Sequence, residues 1–290
     1  MKIGIPLFQL RHAQIARVAA RAEALGFESV WVPEHLVLPV RLDTPYPYSE
    51  DGRAPFTPDT PILDPLLLLT HIAAATSRIR LGTNIFVLPL RHPIVAARLA
   101  MTLDVLSGGR LYLGIGVGWL EQEFRAVGVD FATRGTRTRE CVMALRALWT
   151  QAEPEFHGRF FDFGPLKFEP KPVQKPHPPI LFGGESDAAL RRAAALGDGW
   201  YGVAHDPVSA RKRVEALRAL RAEAGRADAP FEVTVGHGGG PVDAGVLERY
   251  ADAGVDRVSV LPWSRGRDAI EKLEELAESA RSALSANAPS

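Results

Sequence analysis

Short runs rich in β-branched and aromatic residues alternate with longer Ala-, Leu- and Arg-rich segments along the chain. Eight runs have strand character: KIGIPLF, SVWV, IRLGTNIFV, RLYLGIGVG, PILFGG, DGWYGVA, FEVTVGH and DRVSVLPW, which begin at residues 2, 29, 79, 110, 179, 198, 231 and 256. Strands separated by helix-length segments pair in parallel through crossover helices. Eight such units within about 250 residues predict an α/β fold, the (β/α)8 TIM barrel, as one domain over residues 1–290.

The helical segments carry the matching signals. In residues 12–25, apolar side chains recur on one helix face, and Gly26 stands where a C-cap glycine belongs. The segments GVLERYADAG and IEKLEELAESARSAL repeat this pattern near the C-terminus. An open doubly wound sheet is the alternative fold, but no GxGxxG motif follows the first strand and no change in composition divides the chain.

Two connections are too long for simple loops between a strand and a helix: about residues 37–61, after strand 2, and about residues 119–178, after strand 4. Both leave the C-terminal ends of strands, so we expect them to form pocket walls or lids. The second contains a predicted helix from about Thr136 to Trp149. Three arginines near its start are interpreted as a solvated face, with a phosphate contact as the less favoured alternative: Arg134, Arg137 and Arg139.

Composition excludes several classes of protein. Lys+Arg and Asp+Glu both total 34, so the formal net charge is zero, which disfavours nucleic-acid or anionic-membrane binding. Cys141 is the only cysteine, the histidines are scattered, and no metal site is predicted. The N-terminus lacks the apolar core of a signal peptide, and no apolar run is long enough to span a membrane, so we expect a cytoplasmic protein.

Glu34 and His35 follow the second strand, directly after Pro33. In a barrel they lie at the C-terminal ends of the strands, where barrel enzymes build their active sites. A histidine there can move a proton near neutral pH, and an adjacent carboxylate can fix its tautomer or hold its charge. We therefore predict both as catalytic candidates. The alternative is a histidine that hydrogen-bonds to a loop or to the backbone.

Small residues interrupt two of the strands. Thr83 and Asn84 in LGTNIFVLP indicate either a bulge that directs the backbone toward a ligand or a polar strand end. In LGIGVGW, Gly114, Gly116 and Gly118 alternate with apolar residues. They indicate either close approach by a flat ligand or tight packing inside the barrel. The spacing leaves both alternatives open.

Two glycine-rich loops could bind a phosphate group. In FGGESDAALRRAAALG, Gly183 and Gly184 precede Ser186 at a predicted helix start, whose N–H groups could bind an anion; an ordinary turn with a serine cap is the alternative. The stretch GHGGGPVD, residues 236–243, follows strand 7, and barrel phosphate sites often use the loops after strands 7 and 8. The pattern alone does not choose between them.

Taken together, the longer motifs resemble the bacterial luciferase-like flavin and deazaflavin oxidoreductases. The resemblance is strongest to the actinobacterial branch that uses coenzyme F420, an 8-hydroxy-5-deazaflavin. It runs from Met1 to about Tyr201 and rests on AEALGFESVWVPEHL, SRIRLGTNIFVLPLRHP, LDVLSGGRLYLGIGVGWLEQEF and PPILFGGESDAALRRAAALGDGW. It implies hydride transfer between F420 and a small organic substrate. FMN is the alternative cofactor, with monooxygenation as the alternative reaction.

The resemblance also implies roles for single residues. His35 would lie beside the cofactor ring as proton donor or acceptor, with Glu34 where the deazaflavin enzymes more often have Asp. The Asn84–Ile85 bulge would support the ring, often through a cis peptide, and the loop after strand 5 would hold the phosphate. The implied cofactor-binding residues are Phe8, Thr83, Asn84, Ile85, Gly116, Val117, Gly118, Gly183, Gly184 and Ser186.

One departure limits the substrate. Sugar-6-phosphate dehydrogenases of this family have Glu just after the strand-4 glycine pair, where this chain has Trp119, so glucose 6-phosphate is not expected. A homodimer is expected as well. Two other classes of function stay open: a non-redox phosphate-binding barrel enzyme that uses the GHGGGP loop, and a cofactor-binding protein without turnover.

Overall fold

The computed structural model describes residues 1–281 and contains a closed parallel barrel surrounded by helices. The strands are β1 Lys2–Pro6, β2 Ser29–Val32, β3 Arg80–Thr83, β4 Phe86–Val87, β5 Leu111–Gly116, β6 Phe156–His157, β7 Asp162–Phe163, β8 Ile180–Gly183, β9 Gly199–His205, β10 Glu232–His237 and β11 Arg257–Ser259. The barrel runs β1-β2-β3-β5-β8-β9-β10-β11 and closes where β11 pairs with β1. The predicted (β/α)8 barrel is confirmed.

The helices follow the strands as the alternation predicts. They are α1 His12–Ala24, α2 Pro65–Ala74, α3 Pro93–Leu106, α4 Glu121–Ala126, α5 Arg134–Thr150, α6 Asp187–Leu196, α7 Pro207–Glu223, α8 Ala244–Asp252 and α9 Ala269–Ser279. The end of the predicted helix IEKLEELAESARSAL lies outside the described residues. None of the helices among residues 1–281 has both the length and the apolar character that a membrane crossing requires.

The predicted third strand is divided in two. β3 ends at Thr83, and β4 resumes at Phe86, so Asn84 and Ile85 lie between two short strands that both pair with β5. The peptide bond between Asn84 and Ile85 is cis. The interruption therefore falls where the sequence allowed a bulge.

The two insertions differ in structure. Residues 37–61 form no helix or strand, whereas residues 119–178 contain α4, α5 and the antiparallel hairpin β6–β7. The side-chain hydroxyl of Thr44 donates a hydrogen bond to Gln122 across 3.2 Å, which joins the insertions to each other. Both lie beside the C-terminal ends of the strands.

The inside of the barrel is filled mainly by aromatic rings. Trp31 on β2 forms a buried cluster there with Tyr112, Leu181 and Tyr201, separate from the larger core around the barrel. Trp31 lies 6.0 Å from Tyr112 in a stacked arrangement and 5.0 Å from Tyr201 edge to face. Such ring pairs add about 0.5–1.5 kcal/mol beyond the area that they bury.

Glycines on both neighbouring strands make room for Trp31. A Cβ atom at Gly4 on β1 would lie 2.5 Å from Nε1 of Trp31, and one at Gly82 on β3 would lie 2.2 Å from its ring. The indole N–H donates to the Ser29 hydroxyl across 2.8 Å. A side chain on either glycine would therefore displace the ring, which explains why these strand positions are glycine.

A buried arginine closes the other side of this cluster. The Arg257 side chain is completely buried and donates two hydrogen bonds to the Glu28 carboxylate, at 2.7 and 2.8 Å, and one to Glu232 at 3.0 Å. Its guanidinium also lies 4.6 Å from the ring centre of Tyr112. Burial raises the pKa of Glu28, but Arg257 outweighs this effect and holds the pKa below its ordinary value.

We predict that Arg257→Met destabilises the protein by about 3–5 kcal/mol, because it leaves the partly buried carboxylate of Glu28 without the cation that it pairs with. The depressed pKa of Glu28 gives wild-type stability that is present above about pH 4.3, the unfolded value, and is lost as pH falls. In the variant, burial raises that pKa instead, so stability falls as pH rises. Urea unfolding should therefore show a larger deficit at pH 8 than at pH 5.

Arg267→Met is the matched control for this prediction, because Arg267 is exposed and, within residues 1–281, pairs only with the neighbouring Asp268. Its free energy of unfolding should stay within about 0.5 kcal/mol of wild type. An Arg257→Met deficit that is equal at the two pH values would contradict the assigned role of Glu28.

Candidate functional site

A cavity of about 670 Å³ opens at the C-terminal ends of the strands. This volume is typical of pockets that bind small molecules or cofactors. Eleven of the twelve predicted site residues line it: Phe8, Glu34, His35, Asn84, Ile85, Gly116, Val117, Gly118, Gly183, Gly184 and Ser186. The twelfth, Thr83, does not line it. Thr83 is fully buried, and its hydroxyl donates to the Gly114 carbonyl oxygen across 2.6 Å, so it joins β3 to β5 beneath the cavity.

Ile85 is held in place by two glycines of the predicted site. A Cβ atom at Gly116 would lie 1.6 Å from Cδ1 of Ile85, and one at Gly183 would lie 2.8 Å from its Cγ2. At Gly114, a Cβ atom would lie 1.9 Å from the Thr83 carbonyl oxygen. The packing interpretation therefore applies to Gly114 and Gly116 of β5, although Gly116 also lines the cavity.

The floor of the cavity includes a polar group of which the sequence predicted only Asn84. The hydroxyl of Tyr201 donates to Ser259 across 2.7 Å, and the side-chain amide of Asn84 donates to the same hydroxyl across 3.3 Å. Burial raises the pKa of Tyr201, against the opposing effect of these hydrogen bonds. Oδ1 of Asn84 is buried and has no partner among the described residues. The floor therefore offers an acceptor to a ligand.

His35 is paired with a carboxylate of the second insertion. Its Nδ1 lies 3.2 Å from Oε2 of Glu123, and the other oxygen of Glu123 accepts the N–H of Leu36. The Glu123 side chain is 1% exposed. Nε2 of His35 has no hydrogen-bond partner within residues 1–281. The arrangement fixes the ring through Nδ1 and leaves Nε2 available to a ligand.

Glu34 has a different partner from the one expected. Its carboxylate pairs with Arg91 and accepts the N–H of Val87 across 2.6 Å, so it does not contact the His35 ring. Asp64 lies 3.3 Å from the same guanidinium. Burial raises the pKa of Glu34 to about 7, although Arg91 and the Val87 N–H oppose the rise. The carboxylate that can hold the charge of His35 is therefore Glu123, not the adjacent Glu34.

Aromatic side chains from both insertions surround His35. The ring centre of Phe56 lies 5.1 Å from that of His35, and the ring centre of Trp119 lies 5.9 Å from it. Tyr46 contacts Trp119 at 5.3 Å and Phe56 at 6.3 Å. Burial raises the pKa of Tyr46 to about 12. This end of the cavity is therefore apolar and aromatic.

Another part of the cavity lining is cationic. Arg134 at the start of α5 and Arg192 on α6 both line the cavity, and neither has a carboxylate partner among the described residues. Burial and the charge of Arg134 lower the pKa of Arg192. Nε of Arg134 is buried without a hydrogen-bond partner. The interpretation of Arg134 as part of a solvated face therefore does not hold.

The helices that start on this side of the barrel differ in the residue that caps them. Aspartates cap α2, α7 and α8, namely Asp64, Asp206 and Asp243, whereas Ser186 caps α6. A capping carboxylate accepts helix N–H groups and repels a second anion at the cap, while a serine hydroxyl can also donate to one. The aspartate of α6, Asp187, lies in its first turn and does not cap the helix. The start of α6 is therefore better suited to a phosphate than the start of α8, which follows the GHGGGP loop.

The acidic side chains around the cavity are already paired. Glu34 contacts Arg91, and Glu185 lies 3.0 Å from Nε2 of His205 and 3.4 Å from Nε of Arg213. The unpaired charges that line the cavity within residues 1–281 are thus the two arginines. A ligand that fills the cavity should therefore have one aromatic or apolar part and one anionic part.

The chain matches a known protein family over most of its length. The family model of the luciferase-like monooxygenases matches residues 8–238. An uncharacterised Mycobacterium tuberculosis protein, Rv0940c, is 37% identical over 271 residues, which cover 90% of this chain and 92% of that protein.

Two relatives have names that state a cofactor. An FMNH2-dependent dimethylsulfone monooxygenase of Pseudomonas putida is 34% identical over 54% of this chain and 44% of its own. An F420-dependent glucose-6-phosphate dehydrogenase of Amycolatopsis mediterranei is 30% identical over 64% of this chain and 52% of its own. Relatives of this chain therefore include enzymes with either cofactor.

Among solved structures, an F420-dependent secondary alcohol dehydrogenase in complex with an F420-acetone adduct superposes with a TM-score of 0.76. It is 20% identical, and the match covers 95% of this chain and 97% of that one. At this identity the likeness concerns the fold.

We predict that Gly116→Ala lowers the free energy of unfolding by about 1–3 kcal/mol, because the new methyl group overpacks against Ile85 between β4 and β8. Gly164→Ala is the matched control: a Cβ atom there meets nothing within 4 Å. Urea unfolding of the two variants and wild type measures the difference. Equal stability of the two variants would show that Ile85 moves away without cost.

Proposed function

This chain belongs to the luciferase-like monooxygenase family, and on that premise we propose that it is an F420-dependent oxidoreductase. It would transfer a hydride between the deazaflavin and a small organic substrate. The family makes the protein an oxidoreductase with a flavin or deazaflavin cofactor; the choice of F420 is the proposal. Support for it comes from the F420-dependent relative, whose alignment with this chain is longer than that of the FMN-dependent one.

The observation that carries the proposal is the polarity of the cavity. One part of the lining is a floor formed by Asn84, Ile85 and Gly116, and another part contains Arg134, Arg192 and the serine-capped start of α6. A flavin-type cofactor has two parts that match them, a flat ring system and a tail that carries a phosphate. The residues present therefore fit the group that the family uses.

Individual residues have distinct tasks in this proposal. Asn84, Ile85 and Gly116 would support the ring, because they lie at the strand ends that form the cavity floor. The glycines of the β8–α6 loop let an anion approach the backbone, and Ser186 can donate its hydroxyl hydrogen. Arg134 and Arg192 would neutralise the charge of the tail, since neither has a protein counter-ion.

A bound deazaflavin supplies the hydride acceptor or donor and reacts poorly with oxygen, which favours dehydrogenase or reductase chemistry. The protein's own contribution is proton handling at His35. With Nδ1–H donating to Glu123, Nε2 presents a lone pair that can take a proton from a substrate hydroxyl. The Glu123 carboxylate then stabilises the imidazolium. In the reverse direction, Nε2 returns the proton.

The second candidate is an FMN-dependent monooxygenase, favoured by the Pseudomonas relative. The cavity polarity fits FMN as well, since its tail also carries a phosphate. The expected homodimer and cytoplasmic location stay predictions.

Titration with F420 and FMN tests the cofactor. We predict that F420 binds at least about tenfold more tightly than FMN. The deazaflavin chromophore without its phosphate-bearing tail should bind more weakly than F420. Arg192→Gln should reduce F420 affinity about tenfold and leave the affinity of the tail-less chromophore unchanged, because the arginine contacts only the tail. Fluorescence titration gives all five constants.

Two outcomes would contradict the choice of F420 as the cofactor. Tighter binding of FMN than of F420 would favour the monooxygenase, and binding of neither would contradict the proposed function. An equal loss of F420 and of the tail-less chromophore in Arg192→Gln would indicate a general effect on the fold.

We predict that His35→Ala slows hydride transfer by about 10²–10⁴-fold while cofactor affinity changes little, since Nε2 moves the proton. Glu123→Gln should give a smaller loss, because the amide keeps a hydrogen-bonding group beside Nδ1 but removes the charge that stabilises the imidazolium. Single-turnover absorbance of the cofactor measures the step. Unchanged rates in His35→Ala would remove this residue from the mechanism.

A further inference from the structure

Three aromatic side chains of the cavity lining cluster at His35, whose ring contacts Phe56 and Trp119. Tyr46 and Phe56 come from the first insertion and Trp119 from the start of the second. Their rings meet edge to face, with centres 5.3–6.3 Å apart for the pairs that include Tyr46. We call Tyr46, Phe56 and Trp119 the aromatic box.

Among residues 1–281, the charged groups next to the aromatic box are already paired. The nearest carboxylates, Glu34 and Glu123, already hold Arg91 and His35. The unpaired arginines line the cavity beside the start of α6. A charged ligand in the box would lose its hydration without gaining a partner, at a cost of several kcal/mol.

A cationic ligand is disfavoured as well. Aromatic rings attract cations through their faces, but the unpaired charges that line this cavity, within the described part of the chain, are both positive. His35 also becomes positive whenever it accepts a proton. The electrostatics of the whole cavity therefore act against an ammonium group in the box.

We propose that the aromatic box is the substrate subsite. It binds an uncharged, largely apolar molecule, such as an alicyclic or aromatic ring, that carries one ketone or alcohol oxygen. That oxygen hydrogen-bonds to Nε2 of His35, and the ring fills the space between Phe56 and Trp119. This inference rests on the proposed function, because it names the substrate class of the same site. It excludes sugar phosphates and carboxylic acids.

A pair of ligands with the same ring tests the charge requirement. Cyclohexanone and 4-oxocyclohexanecarboxylate differ by one carboxylate, and their binding to the full chain can be followed by saturation-transfer NMR, with and without F420 or FMN. We expect the uncharged ketone to bind at least about tenfold more tightly. Equal or tighter binding of the carboxylate would overturn the proposal.

Two variants test the location. Phe56→Ala and Trp119→Ala should weaken ketone binding by about fivefold or more, as loss of a buried aromatic contact does, and leave cofactor affinity within about twofold. Phe163→Ala is the matched control, because Phe163 lies on the β6–β7 hairpin and does not line the cavity. It should bind the ketone like wild type.

The outcomes separate this inference from the proposed function. If the box variants lose cofactor affinity and keep ketone affinity, the box holds the cofactor ring and the inference is wrong. If neither cofactor binds to wild type, the proposed function fails, while the ketone affinities still decide what the box binds.

Discussion

The packing of Trp31 inside the barrel is the constraint on which the rest of this structure depends. The indole occupies the interior only because Gly4 and Gly82 leave both neighbouring strands without side chains at its level. Tyr112 and Tyr201 pack on it, and Arg257 lies against the same rings with its charge satisfied by two glutamates. A rigid aromatic interior of this kind determines the positions of the strand ends, since β2, β5, β8, β9 and β11 all contribute side chains to it.

The candidate site is built directly on that interior. Tyr201 contacts Trp31 with its ring and, with its hydroxyl, contacts Ser259 and the amide of Asn84. The cavity floor is thus the upper surface of the barrel core. By contrast, His35 depends on α4 for its carboxylate and on the insertions for its aromatic neighbours. A fixed floor with walls made by insertions suits a family that keeps its cofactor chemistry and varies its substrates.

The sequence was sufficient for the barrel and for most of the cavity floor. Strand and helix periodicity predicts the alternation, and the glycine and Thr-Asn interruptions mark the strand ends. Glu123 could not be found, because its contact with His35 depends on how residues 119–178 fold back toward residue 36. The same holds for Arg192 and Arg134, which meet only in three dimensions. All four residues of β2 are buried, so alternation could not show that Trp31 points inward. Adjacency in the chain suggested Glu34 as the partner of His35, but neighbouring side chains at a strand end can point to different sides.

The hydrogen bond between Thr44 and Gln122 has a consequence for how such a protein can change. The first insertion supplies two walls of the aromatic box, and the second supplies both the third wall and the carboxylate behind His35. If one insertion were replaced by that of a relative, the His35 ring would contact unmatched residues on one side. The hydrogen bond that joins the two insertions would also lose one of its partners. The two segments therefore form a single exchangeable unit, and recombination that moves them together would replace the aromatic box together with the carboxylate that pairs with His35.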